Sequence, residues 1–145
     1  MNSLAEKANE IAKAYGPALT KAMIDDEMGP FEDFFISHEP VSVVLQGGSG
    51  EEIHATVGNQ EDADMTWGEF HDSCKTDLMS QDYVKTDSEC VGLLGDRMIM
   101  HTGRINKADE IYTEAYFLLT LTAEGKISMI EAFNDVGTSF ADPNC

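Results

Sequence analysis

Between Glu110 and Asp135 the chain reads EIYTEAYFLLTLTAEGKISMIEAFND, two apolar runs separated by Ala123-Glu124-Gly125-Lys126. A glycine in a short polar gap predicts a tight hairpin, because glycine adopts the positive φ that such turns require. Ala115 to Thr122 is rich in aromatic, aliphatic and threonine side chains, which suit a pleated, half-buried surface. Strand side chains alternate with period two. The second arm therefore places Ile127, Met129, Glu131, Phe133 and Asp135 on one face, and Ser128, Ile130, Ala132 and Asn134 on the other. Two carboxylates then share a face with three apolar residues. If that face lines a cavity, they are either costly or useful.

The 145 residues, 42% of them hydrophobic, suffice for one core, so a single domain spanning 1–145 is expected. Twenty-seven acidic against nine basic residues give a formal net charge of −18, and such a field repels nucleic-acid phosphates and anionic membrane surfaces. Cys74, Cys90 and Cys145 form no CxxC pair, and an odd number cannot all be consumed by internal disulfides. Reduced thiols point to a cytoplasmic setting. The start of the chain has no apolar stretch of signal-peptide length, and no run approaches the ~20 residues that span a bilayer.

Ser3 followed by Glu6 has capping-box spacing, predicting a helix through Leu4, Ala8, Ile11, Ala12 and Tyr15. Gly16-Pro17 is expected to kink or restart it before Ala18, Leu19, Ala22 and Met23. A short helix over Phe31 to Ser37 precedes strands over Val41 to Leu45 and Glu51 to Val57, joined by a glycine-rich turn. Met65 to Leu78 reads as a third helix, followed by strands over Tyr83 to Leu94 and Arg97 to Ile105 and then the hairpin. Strands and helices do not alternate as βαβ units. The expected class is α+β.

The hairpin, with its turn ending Gly-Lys-Ile and its second strand ending aromatic-x-Asp, resembles the closing hairpin of the nuclear transport factor two-like superfamily. Relatives there include SnoaL-like polyketide cyclases, ketosteroid isomerases, scytalone dehydratases and limonene epoxide hydrolases. The order of elements agrees along nearly the whole chain. The resemblance implies a curved, mostly antiparallel sheet wrapped around the N-terminal helix into a cone with an open-ended pocket, a homodimer, a small-molecule substrate and cofactor-independent acid–base chemistry of isomerase, dehydratase, cyclase or hydratase type. A non-catalytic ligand-binding or assembly module is the alternative, since fold does not decide function. The histidine-histidine-serine-serine motif associated with carbon dioxide hydration in this group is missing.

On this resemblance Asp135 falls where relatives place an acid or base, although Phe133 stands one residue further back than in the commonest form. The alternative is a strand-end aspartate capping a turn. Tyr15 matches a phenol that donates to a developing oxyanion, or else packs in the core; Asp25 matches an acid at the end of the same helix, or is a solvated terminus. His101 shares a strand face with Arg97 and Ile99, opposite Met98 and Met100, and can move a proton near neutrality. Trp67 and His71, four apart on one helix face, are candidates for the pocket mouth, with Phe117, Met129, Glu131 and Phe133 as further ligand contacts. His38, His54, His71 and His101 show neither HExxH nor compact ligand spacing, so no metal is expected. The GxSxG elbow, dinucleotide fingerprint and Walker sequence are absent, and no cofactor is expected.

Overall fold

Helix α1, Leu4–Ile24, begins at Ser3, whose hydroxyl accepts the Glu6 N–H at 3.2 Å in a computed structural model that describes residues 3–46, 52–79 and 82–133. Contrary to expectation, α1 neither restarts nor ends at Pro17, although proline there supplies no N–H. Ser88, from a neighbouring strand, enters the helical ladder at this point. Its Oγ accepts the Gly16 N–H at 2.7 Å and donates to the Ala12 carbonyl, so the two backbone groups that would bond each other are satisfied through one hydroxyl. Thr20 Oγ1 donates to the Gly16 carbonyl at 2.8 Å. The helix thus stays continuous because the sheet repairs its weak turn.

The second helix is shorter than the phenylalanine spacing predicts. Helix α2 covers only Gly29–Glu32, with Pro30 in its first turn. Past Glu32 the chain stops being helical, since Ile36 N–H donates to Ile127 O at 3.0 Å and Ile127 N–H to Phe34 O at 2.8 Å. Pairing with the start of the last strand wins over a second helical turn. Strands β1, Val41–Gln46, and β2, Glu52–Val57, follow. Helix α3, Trp67–Leu78, starts later than Met65 because Thr66 and Glu69 form a reciprocal capping box. Met65 instead pairs with β2, its N–H donating to Thr56 O at 3.1 Å.

Strands β3 (Tyr83–Leu94), β4 (Arg97–Asn106), β5 (Ile111–Leu121) and β6 (Ile127–Phe133) complete one six-stranded sheet in the order β2-β1-β6-β5-β4-β3. All neighbours are antiparallel except β1 and β6. The β5–β6 hairpin occupies the middle, as its apolar content requires. Gly125 closes its turn at φ +82°, and Lys7 of α1 reaches over to donate to Ala123 O at 3.2 Å.

The curled, unclosed sheet wraps α1 with one face and leaves the other outside. Met98, Met100, Leu119, Leu121, Ile127 and Ile130 point inward against Ala8, Ala12, Ala22 and Met23, all of them buried. Alanines on α1 let its backbone approach β3 closely. The outer face carries Ile99, His101, Tyr116, Leu118, Met129 and Glu131. Strict alternation fails at one place in β6: a register shift between Thr120 and Leu121 turns Ile127 into the core, away from Met129 and Glu131. A second shift, between Arg104 and Ile105, frees Tyr112 from the outer row, and its hydroxyl donates to Leu78 O at 3.3 Å.

Candidate functional site

Inside the sheet, a cavity of about 270 Å³ is bounded by α1, α2, α3 and the inner face. Its apolar walls include Leu19, Phe31, Val43, Phe70, Phe117 and Ile130. Polar groups come from four elements. Tyr15 projects from α1; Ser73 and Cys74 from α3; Thr86 from β3; Thr102 and Arg104 from β4. Cross-strand pairing aligns Thr86 with Arg104, and Thr102 stands two residues before Arg104 in β4, so these three share one wall. Arg104 is the charged member of the described lining.

Tyr15 is 5% exposed, and burial, then the neighbouring Cys74, pushes its phenol far above the ordinary tyrosine range. It is therefore neutral at any physiological pH. A neutral buried phenol donates a hydrogen bond without competing as an anion, which suits a carbonyl or developing oxyanion. Its ring is clamped edge-on by Phe31 at 5.3 Å and tilted against Phe34 at 5.9 Å. Thr86 is fixed by the Tyr83 hydroxyl at 2.6 Å and by its own N–H donating to Thr20 Oγ1 at 2.9 Å. Thr102 Oγ1 donates to Ala115 O at 3.3 Å.

Of the residues singled out from sequence, Tyr15 and Phe117 line this cavity together. His101 does not. It lies on the outer face between Glu89 at 3.6 Å and Glu114 at 3.3 Å, with its ring 4.9 Å from Tyr116. Met129 and Glu131 are also on the outer face, where Glu131 pairs with Arg97; the face assigned to a pocket by alternation is the wrong one, because Ile130 and Ala132 are the residues lining the cavity. Asp25 is the exposed C-cap of α1, its N–H donating to Lys21 O at 2.9 Å. Trp67 is buried among Phe31, Phe35 and Phe70 behind the cavity wall.

His71 joins helices. Its Nε2–H donates to Ala22 O at 2.8 Å and lies 3.1 Å from Asp26, while Nδ1 sits 3.2 Å from Asp72. Asp26 also accepts from Lys75 at 2.7 Å, and that hydrogen bond holds its carboxyl below the ordinary aspartate range. Asp135 and the side chain of Phe133 lie outside the described residues.

Arg104, Thr86, Thr102, Ser73 and Cys74 were not anticipated. The signal for Thr102 and Arg104 was present: extending the Met98, Met100 alternation by two steps places both on the core face.

A smaller polar recess of about 260 Å³ lies behind the aromatic cluster, lined by Glu32, Asp33, Asn59, Gln60, Trp67 and Lys126 among others. Gln60 donates to Ser37 O at 2.7 Å, and its Oε1 is buried without a hydrogen-bond partner. Burial raises the Glu32 carboxyl above its ordinary range, partly offset by a hydrogen bond from Asn59. Among the described residues no group of three or more His, Cys, Asp or Glu is placed to hold a metal ion, and no helix is long and apolar enough to cross a membrane.

No family model matches the sequence, and neither does any curated protein. Solved structures do. A SnoaL-like family protein from Agrobacterium tumefaciens, provisionally assigned as an isomerase, superposes with a TM-score of 0.57 at 10% identity, over 88% of this chain and 96% of its own. A provisionally assigned SnoaL-like polyketide cyclase from Mesorhizobium loti gives 0.47 at 13% identity, over 91% and 99%. A nuclear transport factor two-like protein of unknown function from Exiguobacterium gives 0.45 at 16% identity, over 90% and 96%. Of the three, the first carries the fold assignment. With a curled, unclosed six-stranded sheet around its N-terminal helix, this chain has the nuclear transport factor two-like cone fold.

Proposed function

We propose that the protein takes a small, largely apolar organic molecule into the inner cavity and acts on it by cofactor-independent acid–base chemistry. The observation that carries this reading is an apolar cavity of about 270 Å³ into which a buried, neutral phenol projects. In this reading Tyr15 donates to a substrate carbonyl and stabilises the oxyanion that forms beside it, where apolar walls keep water from screening the interaction. Asp135 is the proposed proton acceptor. Isomerisation, dehydration, cyclisation and hydration all need these two roles.

A panel of enones, epoxides and β-keto compounds tests the proposal by turnover. On any substrate found, Asp135→Asn should lower kcat by about 10² to 10⁴ while the fold, read by circular dichroism, persists. Full activity in that variant would remove Asp135 from the mechanism.

One observation favours a second reading, binding without chemistry: the described cavity lining contains neither carboxylate nor imidazole. Ala115→Phe, which fills the cavity from β5, separates cavity use from its absence. It should abolish both binding and turnover if the ligand sits there, and binding alone if no reaction occurs. We also propose a homodimer joined through the outer sheet face, where Ile99, Tyr116, Leu118 and Met129 are half-buried in the single chain.

A further inference from the structure

The inner cavity is bounded in what it can hold by its volume and by the polar groups its walls leave free. An apolar cavity of about 150 Å³ takes one benzene molecule. By proportion, a cavity of about 270 Å³ takes on the order of eleven non-hydrogen atoms, one ring with a short substituent. Aromatic side chains reach it from Tyr15 on α1, Phe31 on α2, Phe70 on α3 and Phe117 on β5, and an unsaturated ring packs on them by edge or face. Its polar groups are mostly committed. The Thr86 hydroxyl is hydrogen-bonded to Tyr83 at 2.6 Å, and Thr102 Oγ1 donates to Ala115 O at 3.3 Å. Arg104 and Cys74 each have an interaction within the protein. Ser73 is exposed, so water serves its hydroxyl. The Tyr15 hydroxyl, in a residue 5% exposed, forms no hydrogen bond to a described residue.

We infer that the cavity takes a one-ring molecule with a single hydrogen-bond acceptor, its ring among Phe31, Phe70 and Phe117 and its acceptor on Tyr15, and that Phe117 sets the size limit. This inference rests on the cavity being a ligand site, as proposed above, and adds the size and polarity of the ligand. On the sheet wall Phe117 stands between Ala115, two residues before it on β5, and Ala132, its partner on β6, so it supplies the bulk there. Phe31 and Phe70 stack on each other and on Trp67, and belong to the packed core. Transfer from water alone favours a larger ligand, because each added ring removes more apolar surface. A packed wall reverses that order, since a second ring has to displace side chains.

The test is equilibrium dialysis of the full chain against acetophenone, 4-acetylbiphenyl and α-methylstyrene, the last having a methylene in place of the carbonyl oxygen. Acetophenone should bind at least about tenfold more tightly than 4-acetylbiphenyl, against the order that apolar transfer sets. Tyr15→Phe should weaken acetophenone by about threefold to tenfold, the worth of one neutral hydrogen bond, and leave α-methylstyrene within about twofold. Phe117→Ala, or the milder Phe117→Leu, should admit 4-acetylbiphenyl. Tighter binding of the biphenyl by the unaltered protein would overturn the size class while leaving the cavity as a ligand site. Equal losses of both one-ring probes in Tyr15→Phe would overturn the acceptor assignment, and a folded Phe117 variant that still refuses the biphenyl would overturn the role of Phe117. Binding of none of the three, or acetophenone binding that survives Ala115→Phe, would overturn the ligand site as well. The order of the two ketones in the unaltered protein needs no variant, so misfolding cannot rescue the inference.

Discussion

Tyr15 and Arg104 reach the same cavity from opposite layers, and their burial gives them different work. The phenol is nearly sealed and cannot ionise in any accessible pH range, so its use is as a donor. Tyr15→Phe removes that donor and keeps the ring contacts with Phe31 and Phe34. The expected result is a fold of unchanged stability within about 1 kcal/mol and a kcat lower by about 10² to 10³ on a carbonyl substrate. An unchanged kcat would show that the hydroxyl only fills space. Asp26 gives a prediction in pH. It sits at φ +57°, a conformation that asparagine also tolerates, so Asp26→Asn isolates the charge. Because the Lys75 hydrogen bond holds the folded carboxyl below its ordinary range, the stabilisation exists only while Asp26 is ionised. It is fully present above the unfolded pKa of about 3.9 and is lost as pH falls through the lower folded value. Denaturation midpoints of the two proteins should differ at neutral pH and converge in strong acid. A difference that persisted or grew in acid would place the effect elsewhere.

At the scale of elements, the close contact beside the cavity is α1 against β3. Gly16 touches the strand so closely that a β-carbon would collide with Thr86 O and lie 2.9 Å from Ser88 Oγ. Both partners belong to the cavity wall or its frame: Thr86 lines it, and Ser88 holds the broken turn of the helix beside Tyr15. Gly16→Ala would raise intrinsic helix propensity by almost 1 kcal/mol, and in an exposed helix it would stabilise. Here overpacking against backbone should dominate, with a net loss of about 1–3 kcal/mol seen in urea unfolding. A gain in stability would mean that α1 lies further from β3 than described. The same element logic explains α2 and α3, whose ends are decided by a pairing with Ile127 and by the Thr66 cap rather than by phenylalanine or methionine spacing.

For the whole molecule, the sheet separates the inner cavity from the outer face proposed as the dimer interface. On the outer face, Arg97 pairs with Glu131, and Glu89 and Glu114 flank His101, so the apolar residues Ile99, Tyr116 and Leu118 are framed by polar pairs. Two such faces can meet without opposing the full acidity of the chain. Sedimentation at micromolar concentration should give twice the 15.9 kDa chain mass, and Leu118→Asp should return the monomer. A monomer in the unaltered protein would dispose of this interface.

Much of the architecture was legible because it depends on local chemistry: the Gly125 turn, the Ser3 cap, the alternation in β4 and the apolar density of β5 are each properties of a few adjacent residues. From these the α+β class and a central hairpin followed, and the resemblance of that hairpin brought the cone with it. What adjacent residues cannot specify is which side of a strand faces inward after a register shift. The slip at Thr120 and Leu121 sends Ile127 into the core and leaves Met129 and Glu131 outside, reversing the assignment of a face that strict alternation had kept whole. His101 was likewise readable as a partner of Arg97 and Ile99, but only sheet closure around α1 determined that their face is the outer one. Arg104 shows the same division: its strand position was written in the sequence, whereas its place as the cavity's cation required Thr86, Tyr15 and Phe70 to be folded around it from three other elements.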